Sequence, residues 1–251
     1  MEKQTKFPAK LISYIKVFII LILSLYYSIR VLINAILKGK EQNYHDYHKA
    51  WARKVLRVGG VRLNIKGLDN LERGKSYIYT SNHFSLFDIP VIIAAVPDNV
   101  RIIYKEELEK VPFFGWGLRA GPYIAVNRSD PRKSMKSIEA AVESISKGDS
   151  VIVFPEGTRS PDGSLQDFKR GAFMLASRAA KPIAPIGIIN SDKVLPPKSK
   201  LISSGEVEVI FDEPIYERPA TKEAEKELLS RVHAIISEML RKKERLTVKS
   251  Q

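Results

Sequence analysis

Apolar positions along this chain follow a helical period up to about residue 60 and then give way to short runs alternating with helical ones. In KLISYIKVFIILILSLYYSIRVLINAILKGK only Lys16 and Arg30 carry charge between Leu11 and Leu37. The run predicts one helix of roughly 40 Å at about 1.5 Å per residue, enough to cross a hydrocarbon layer of about 30 Å with tilt. Lys16, Tyr27, Arg30 and Asn34 fall within about 60° on a helical wheel, and this thin polar stripe suits a helix packed on a partner or lying partly embedded. Tyr44, Tyr47, Trp51, Val55 and Leu56 then recur at helical spacing among Arg53, Lys54 and Arg57, a basic amphipathic pattern that predicts a second, interfacial helix. A cleaved signal peptide is the rival reading of the first run, because Lys3, Lys6 and Lys10 precede it. Lys38-Gly39-Lys40 offers no small-residue cleavage site, so an anchor is expected.

From Val61 onward, short β-branched runs alternate with longer helical stretches. VRLNIKG, SYIYTS, VRIIY, PYIAV, SVIVF, PIAPIGII and EVEVIF read as strands; PVIIAAV, the stretch from Pro131 to Lys147, and FKRGAFMLASRAA read as helices. A last helix, from about Lys222 to Lys243, repeats Leu228, Val232, Ile235, Met239 and Leu240 beneath a charged face, with Thr221 as its N-cap. The expected fold class is α/β: a mixed, mainly parallel sheet flanked by helices, with an amino-terminal membrane-embedded helical anchor. The expected division is residues 1–60 for the membrane-associated helices and 61–251 for the α/β domain.

Composition narrows the chemistry. No cysteine is present, which excludes disulfides, thiolate metal sites and a cysteine nucleophile. Lys and Arg number 41 against 28 Asp and Glu, a formal charge of +13, so an anionic partner is expected: a lipid surface, a phosphorylated substrate, an acidic carrier protein or nucleic acid. The basic residues are spread beside a hydrophobic anchor and gather on no recognition element, which disfavours nucleic acid.

In an open α/β sheet, ligands collect where strands end, and three polar clusters fall at such places. The first is SNHFSLFDIP, residues 81–90. On a continuous helix His83 and Asp88 would lie about 140° apart, so they meet only if His83 is on the loop and Asp88 in the first helical turn, where Pro90 is tolerated. Two readings fit: Asp88 orients the imidazole as a base for a substrate hydroxyl, or Ser85 or Asp88 merely caps the helix. The second cluster, VIVFPEGTRSPDG, runs a strand into Glu156 and Gly157 and then presents Thr158 and Arg159, where a guanidinium can clamp a phosphate or form a surface ion pair. The third, YKEELEKVPFFGWGLRAGPYIAVNR, interleaves aromatics expected in the core with Lys105, Arg119 and Arg128. His45 and His48 have metal-like spacing, but an interfacial-helix role is expected for them and no metal site. No nucleophile elbow, Walker loop or dinucleotide glycine motif occurs.

Taken in order, the clusters resemble the glycerolipid acyltransferase family, specifically its bacterial 1-acyl-sn-glycerol-3-phosphate acyltransferases. Asn82-His83 with Asp88 matches the family's N-H-x4-D block, Gly121 to Arg128 resembles the second, FPEGTRS the third, and KPIAPIGI the fourth. Lys105, Glu107 and Leu108 before Pro112, Gly115 and Trp116 also fit, as does FKRGAFMLA, so that the likeness spans about Val61 to Ile210. The second block often ends Asp-Arg, whereas here it reads Asn127-Arg128.

The resemblance implies a base, His83, oriented by Asp88, that deprotonates the sn-2 hydroxyl of lysophosphatidic acid for attack on the thioester of acyl-CoA or acyl carrier protein. It implies Arg159, Lys105 and Arg128 as the phosphate clamp, with Glu156, Gly157 and Thr158 shaping that site and Glu156 orienting Arg159 or engaging the glycerol. It implies no cofactor, an anionic phospholipid membrane as partner, and residence on the inner membrane with the site facing the cytoplasm. Neighbouring acceptors, among them glycerol 3-phosphate and other lysolipids, and a non-catalytic lipid-binding module are the alternatives.

Overall fold

The computed structural model describes residues 6–38, 44–127 and 130–249. Seven runs rich in valine and isoleucine pair into one sheet: β1 (Val61–Lys66), β2 (Ile78–Ser81), β3 (Val100–Lys105), β4 (Ile124–Val126), β5 (Ser150–Val153), β6 (Ile183–Ile189) and β7 (Gly205–Phe211). Their spatial order is β1-β7-β6-β2-β5-β3-β4. The five strands from β6 to β4 are mutually parallel, β7 runs antiparallel to β6, and β1 follows the direction of β7.

The helices are α1 (Lys6–Lys38), α2 (Tyr44–Gly59), α3 (Asp88–Ala95), α4 (Phe114–Ala120), α5 (Pro131–Ser146), α6 (Gly171–Ala179), α7 (Ser191–Val194) and α8 (Lys222–Lys249). On one face of the sheet Val55, Leu56, Val91 and Ile92 of α2 and α3 pack against Tyr79, Ile186 and Val209. On the other, Ile145, Phe173, Leu228 and Val232 of α5, α6 and α8 pack against Ile78, Val151 and Ile183. Cover on both faces explains why β6 reads as an unbroken apolar run, with all seven residues buried. The termini of the long helices follow local chemistry. Asp130 accepts from the N–H groups of Arg132 and Lys133 before Pro131, and Thr221 Oγ1 accepts from Ala224 N at 3.1 Å.

All five parallel strands finish at one edge, so the segments after Ser81, Lys105, Val126, Val153 and Ile189 emerge side by side. From β2 the chain moves out to β3 and β4, and β5 and β6 are added later on either side of β2. That reversal of winding is the place where open α/β sheets bind ligands.

α1 is docked along its length. Ser13, Tyr27, Val31 and Asn34 are buried, and Val17 and Ile20 pack against the α2/α3 core, a seam that recurs every three or four residues. Lys16 Nζ donates to Gly59 O at 2.9 Å and reaches Ser204 Oγ at 2.8 Å; Trp51 Nε1 donates to Ser24 Oγ at 3.1 Å; Arg30 lies 5.1 Å from the Tyr47 ring centre. The polar stripe read in the sequence is therefore the face that holds α1 to the rest of the molecule. Its other face, including Leu11, Ile15, Phe18, Leu21, Ile22 and Ile36, is exposed, and Ala9–Leu37 is long and apolar enough to cross a membrane by length and composition. α2 belongs to the main core, because Val55 and Leu56 are buried under the sheet.

The stretch from Glu106 to Ala120 departs from expectation. It forms a 3-10 turn (Glu106–Lys110) and the short α4, and its aromatics Phe113 and Trp116 are exposed where a core position was expected.

Candidate active site

Asn82 follows β2 and continues its pairing with a side chain. Its Nδ2 donates to Ile188 O at 2.8 Å, and its Oδ1 accepts from Ile188 N at 2.8 Å, so a buried amide stands in for one rung of the ladder to β6. The backbone is thereby released from the sheet at the next residue, His83.

His83 Nδ1 lies 2.9 Å from Asp88 Oδ2. That oxygen also accepts from Phe84 N at 2.7 Å and Ser85 N at 2.9 Å. A carboxylate oxygen holding two N–H donors requires Nδ1 to be a third donor, which leaves Nε2 as the basic nitrogen. The imidazole is 15% exposed and the carboxylate 0%, so water reaches the histidine and not its partner. Asp88 opens α3 without capping it, since its carboxylate turns back to the loop; Ser85 Oγ accepts from Phe87 N and donates to Leu195 O at 2.9 Å. The capping role open in the sequence therefore does not describe Asp88.

The loop after β5 braces the same histidine from the other side. Glu156 Oε1 accepts from His83 N at 2.6 Å and Oε2 from Gln166 N at 3.1 Å. Ser160 N donates to His83 O at 2.8 Å, and the His83 ring stacks on Phe154 at 4.2 Å between centres. Glu156 is buried, and burial pushes its carboxyl up to about 7, against the pull of the two N–H donors and with a further push from the charge of Asp88. Both oxygens are thus engaged by main chain, and Glu156 makes no ion pair with Arg159 among the described residues, so in this structure its contacts are those of a brace for the His83 loop.

Gly157 has φ 75°, and a Cβ there would lie 2.9 Å from Lys169 Nζ. The Lys169 side chain is thus folded over this turn, a cation that sequence reading left among helix residues. Arg159 is exposed with no ion-pair partner among the described residues, one residue from the Ser160 contact that ties it to His83. Thr158 is exposed, and its Oγ1 donates to Arg159 O at 3.0 Å. The N–H groups of Thr158 and Arg159 have no acceptor among the described residues.

Lys105, at the end of β3, opens on the same edge, exposed and 3.3 Å from Glu107 Oε1; two strand spacings of about 4.8 Å separate β3 from β2. Asn127 at the end of β4 donates to Glu106 Oε2 at 2.5 Å, whereas Arg128 lies outside the described residues. His45 and His48 join no metal-holding group among the described residues. His48 is buried beside Trp51 and Tyr123, and burial pushes its imidazole down to about 3, so it is a core residue and not the interfacial one expected. A cleft of about 310 Å³ lined by Arg101, Pro122, Tyr123 and Lys147 opens at the opposite edge of the sheet, away from His83; Arg101 there is paired with Asp149.

The strand ends thus bring His83 and Asp88 together with Glu156, Gly157, Thr158 and Arg159, with Lys105 farther along the same edge. Structure adds roles for Asn82 and Phe154, present in the sequence only as letters of the first and third blocks, and adds Lys169 as a cation at the turn.

Comparison with known proteins agrees with this constellation. The family model described as Acyltransferase matches residues 62–189, from β1 to the end of β6. A chloroplastic 1-acyl-sn-glycerol-3-phosphate acyltransferase of Brassica napus is 34% identical over 175 residues, 69% of this chain and 50% of that protein. The chain thus spans about half the length of this plant relative. A 1-acyl-sn-glycerol-3-phosphate acyltransferase of Pseudomonas aeruginosa is 31% identical over 191 residues, 76% of this chain and 72% of the relative. The crystal structure of the 1-acyl-sn-glycerophosphate acyltransferase PlsC from Thermotoga maritima superposes with a TM-score of 0.77 at 25% identity, covering 97% of this chain and 98% of that one. With the model covering half the sequence and the site's blocks inside it, the chain belongs to the acyltransferase family.

Proposed function

We propose that this protein is a membrane-bound 1-acyl-sn-glycerol-3-phosphate acyltransferase that makes phosphatidic acid for phospholipid synthesis. The observation that carries the reading is the His83–Asp88 pair at 2.9 Å, fixed by Glu156 and Ser160 to the loop that bears Arg159. The names of the Brassica, Pseudomonas and Thermotoga proteins support the acceptor.

His83 Nε2 takes the proton of the sn-2 hydroxyl as the oxygen attacks the thioester carbonyl. Asp88 stabilises the imidazolium that forms, the C–S bond breaks, and the thiolate of the donor receives the proton. General-base action of this kind supplies on the order of 10² to 10⁴ in rate. Donors aimed at the oxyanion supply part of the remainder, and the N–H groups of Thr158 and Arg159, without an acceptor among the described residues, are the candidates. Arg159, Lys105 and Arg128 clamp the phosphate, with Lys169 beside Gly157 as a further cation. Because the acceptor hydroxyl is the nucleophile, the reaction needs neither a metal nor a covalent acyl-enzyme.

The docked seam of α1, from Ser13 to Asn34, is about 30 Å long. Standing α1 across a bilayer would carry α2, α4 and the chain near Ser204 to membrane depth, so the helix lies along the surface with its exposed apolar face in one leaflet. Acyl-CoA and acyl carrier protein are cytoplasmic donors, and the site accordingly faces the cytoplasm from the inner membrane.

The test is an acceptor and donor panel with the purified chain: lysophosphatidic acid, glycerol 3-phosphate and lysophosphatidylcholine against acyl-CoA and acyl carrier protein. Phosphatidic acid is expected from lysophosphatidic acid in preference to products of the others. Arg159→Ala should raise KM roughly 10- to 100-fold for phosphate-monoester acceptors, the scale of a charge-assisted hydrogen bond. An equal loss with an uncharged acceptor refutes the clamp.

A further inference from the structure

The connection between β3 and β4 holds exposed apolar side chains that the catalytic reading does not use. Val111 and Leu108 of this connection are exposed, as are Trp116, at 49%, and Phe113, at 48%. The rings of Phe113 and Trp116 contact each other at 4.9 Å between centres, so this is one patch and not scattered residues. In water such a cluster is unfavourable, and contiguous apolar surface of this kind marks a contact face.

Its backbone is closely held. Phe113 is held at φ 61°, a conformation rare for a bulky residue, by hydrogen bonds from Phe114 N to Pro112 O at 2.7 Å and from Gly117 N to its own carbonyl at 3.0 Å. A Cβ on Gly115 would lie 2.2 Å from Glu109 O, so α4 folds back onto the 3-10 turn. A Cβ on Gly117 would lie 2.6 Å from Ser28 Cβ, which seats α4 directly on α1. The element that bears Trp116 is therefore seated on the helix whose outward face is apolar.

Charge is arranged to permit an anionic surface. Glu106 is held by Asn127, Glu107 pairs with Lys105, and Glu109 pairs with Arg119 and accepts from Tyr104. Each carboxylate of the segment is thus neutralised or hydrogen-bonded by the protein itself, and Lys110 is left to reach headgroups along its stem. The segment also follows Lys105 at the carboxyl edge of the sheet, the edge that carries His83.

We infer that Phe113 and Trp116 are a second membrane contact, inserted in the headgroup region of the same phospholipid leaflet as α1, and that the two contacts together turn the catalytic edge of the sheet toward the lipid. Aromatic rings are favoured at that depth. The inference rests on the membrane reading of α1 proposed above, and the two are separable by measurement.

The chain has Trp51 and Trp116, so Trp51→Phe leaves Trp116 as the reporter. With vesicles of phosphatidylethanolamine and phosphatidylglycerol carrying brominated acyl chains, Trp116 emission should be quenched and iodide access from the aqueous side reduced. Cosedimentation with unquenched, iodide-accessible Trp116 overturns the inference while sparing the reading of α1; failure of the chain to cosediment overturns both. Phe113→Ser with Trp116→Ser should weaken vesicle binding roughly tenfold or more, the scale of one or two buried aromatics. The double variant should lose activity on lysophosphatidic acid in vesicles and keep it on a short-chain, water-soluble acceptor. Equal loss on both acceptors overturns the inference in favour of a structural role.

Discussion

Glu156 ties the backbone of His83 to the loop after β5. It is buried, both oxygens accept main-chain N–H groups, and burial lifts its carboxyl to about 7 from an ordinary 4.5. Between those values the folded protein holds a proton that the unfolded chain has lost, so stability falls as pH rises from 4.5 to about 7 and levels off above. Glu156→Gln should abolish that part of the slope, read as the difference between the two proteins' thermal unfolding across this window. Glutamine has one acceptor oxygen and a donor-only NH2, so one of the two N–H groups is left unsatisfied at a cost of about 1–3 kcal/mol. At Asp88 a substitution probes orientation: Asp88→Asn removes the charge that stabilises the imidazolium, and kcat should drop on the order of 10² to 10⁴ with little change in KM, measured by steady-state kinetics on the folded variant.

Among elements, the join between β2 and β6 carries the most consequence. Asn82 makes both hydrogen bonds to Ile188 from a fully buried position, and Asn82→Ala should cost about 2–4 kcal/mol for the two lost partners, with activity falling because His83 is the next residue. Denaturant unfolding and a parallel activity assay check it. α4 is held to α1 by the absence of a side chain at Gly117, and Gly117→Val should destabilise that contact by about 1–3 kcal/mol through overpacking. These elements also show what the sequence discloses. All seven strands and the four longer catalytic-domain helices α3, α5, α6 and α8 follow from periodicity, because burial on two faces forces apolar runs of strand length and amphipathic runs of helix length. α4 was not legible: seven residues with two glycines carry no helical period of their own. Periodicity places Phe113 and Trp116 in the core because aromatics usually avoid water, and their exposure on α4 carries no signal in the pattern. His83 and Asp88 were undecidable by spacing, since their meeting depends on a loop shaped by Asn82, Glu156 and Ser160, residues distant in sequence or silent in pattern.

At the scale of the whole molecule, the fold is a scaffold that brings five strand ends to one edge and hangs an apolar helix along one side. On the proposed reading, the net charge of +13 attracts the molecule to anionic lipid and the exposed face of α1 holds it there. Replacing Ile15, Phe18 and Ile22 with lysine, all on that face, should abolish vesicle cosedimentation while leaving the hydrogen bonds of the α1 seam in place; residual activity is then expected only with water-soluble acceptors. The central claim is that His83 is the base for acyl transfer to lysophosphatidic acid. Its most direct test is a single-turnover assay of the purified chain with vesicle-borne lysophosphatidic acid and acyl donor, with phosphatidic acid quantified by mass spectrometry. Wild-type protein should form phosphatidic acid acylated at sn-2 and folded His83→Ala should form it at least about 10²-fold more slowly; undiminished product from His83→Ala would contradict the mechanism.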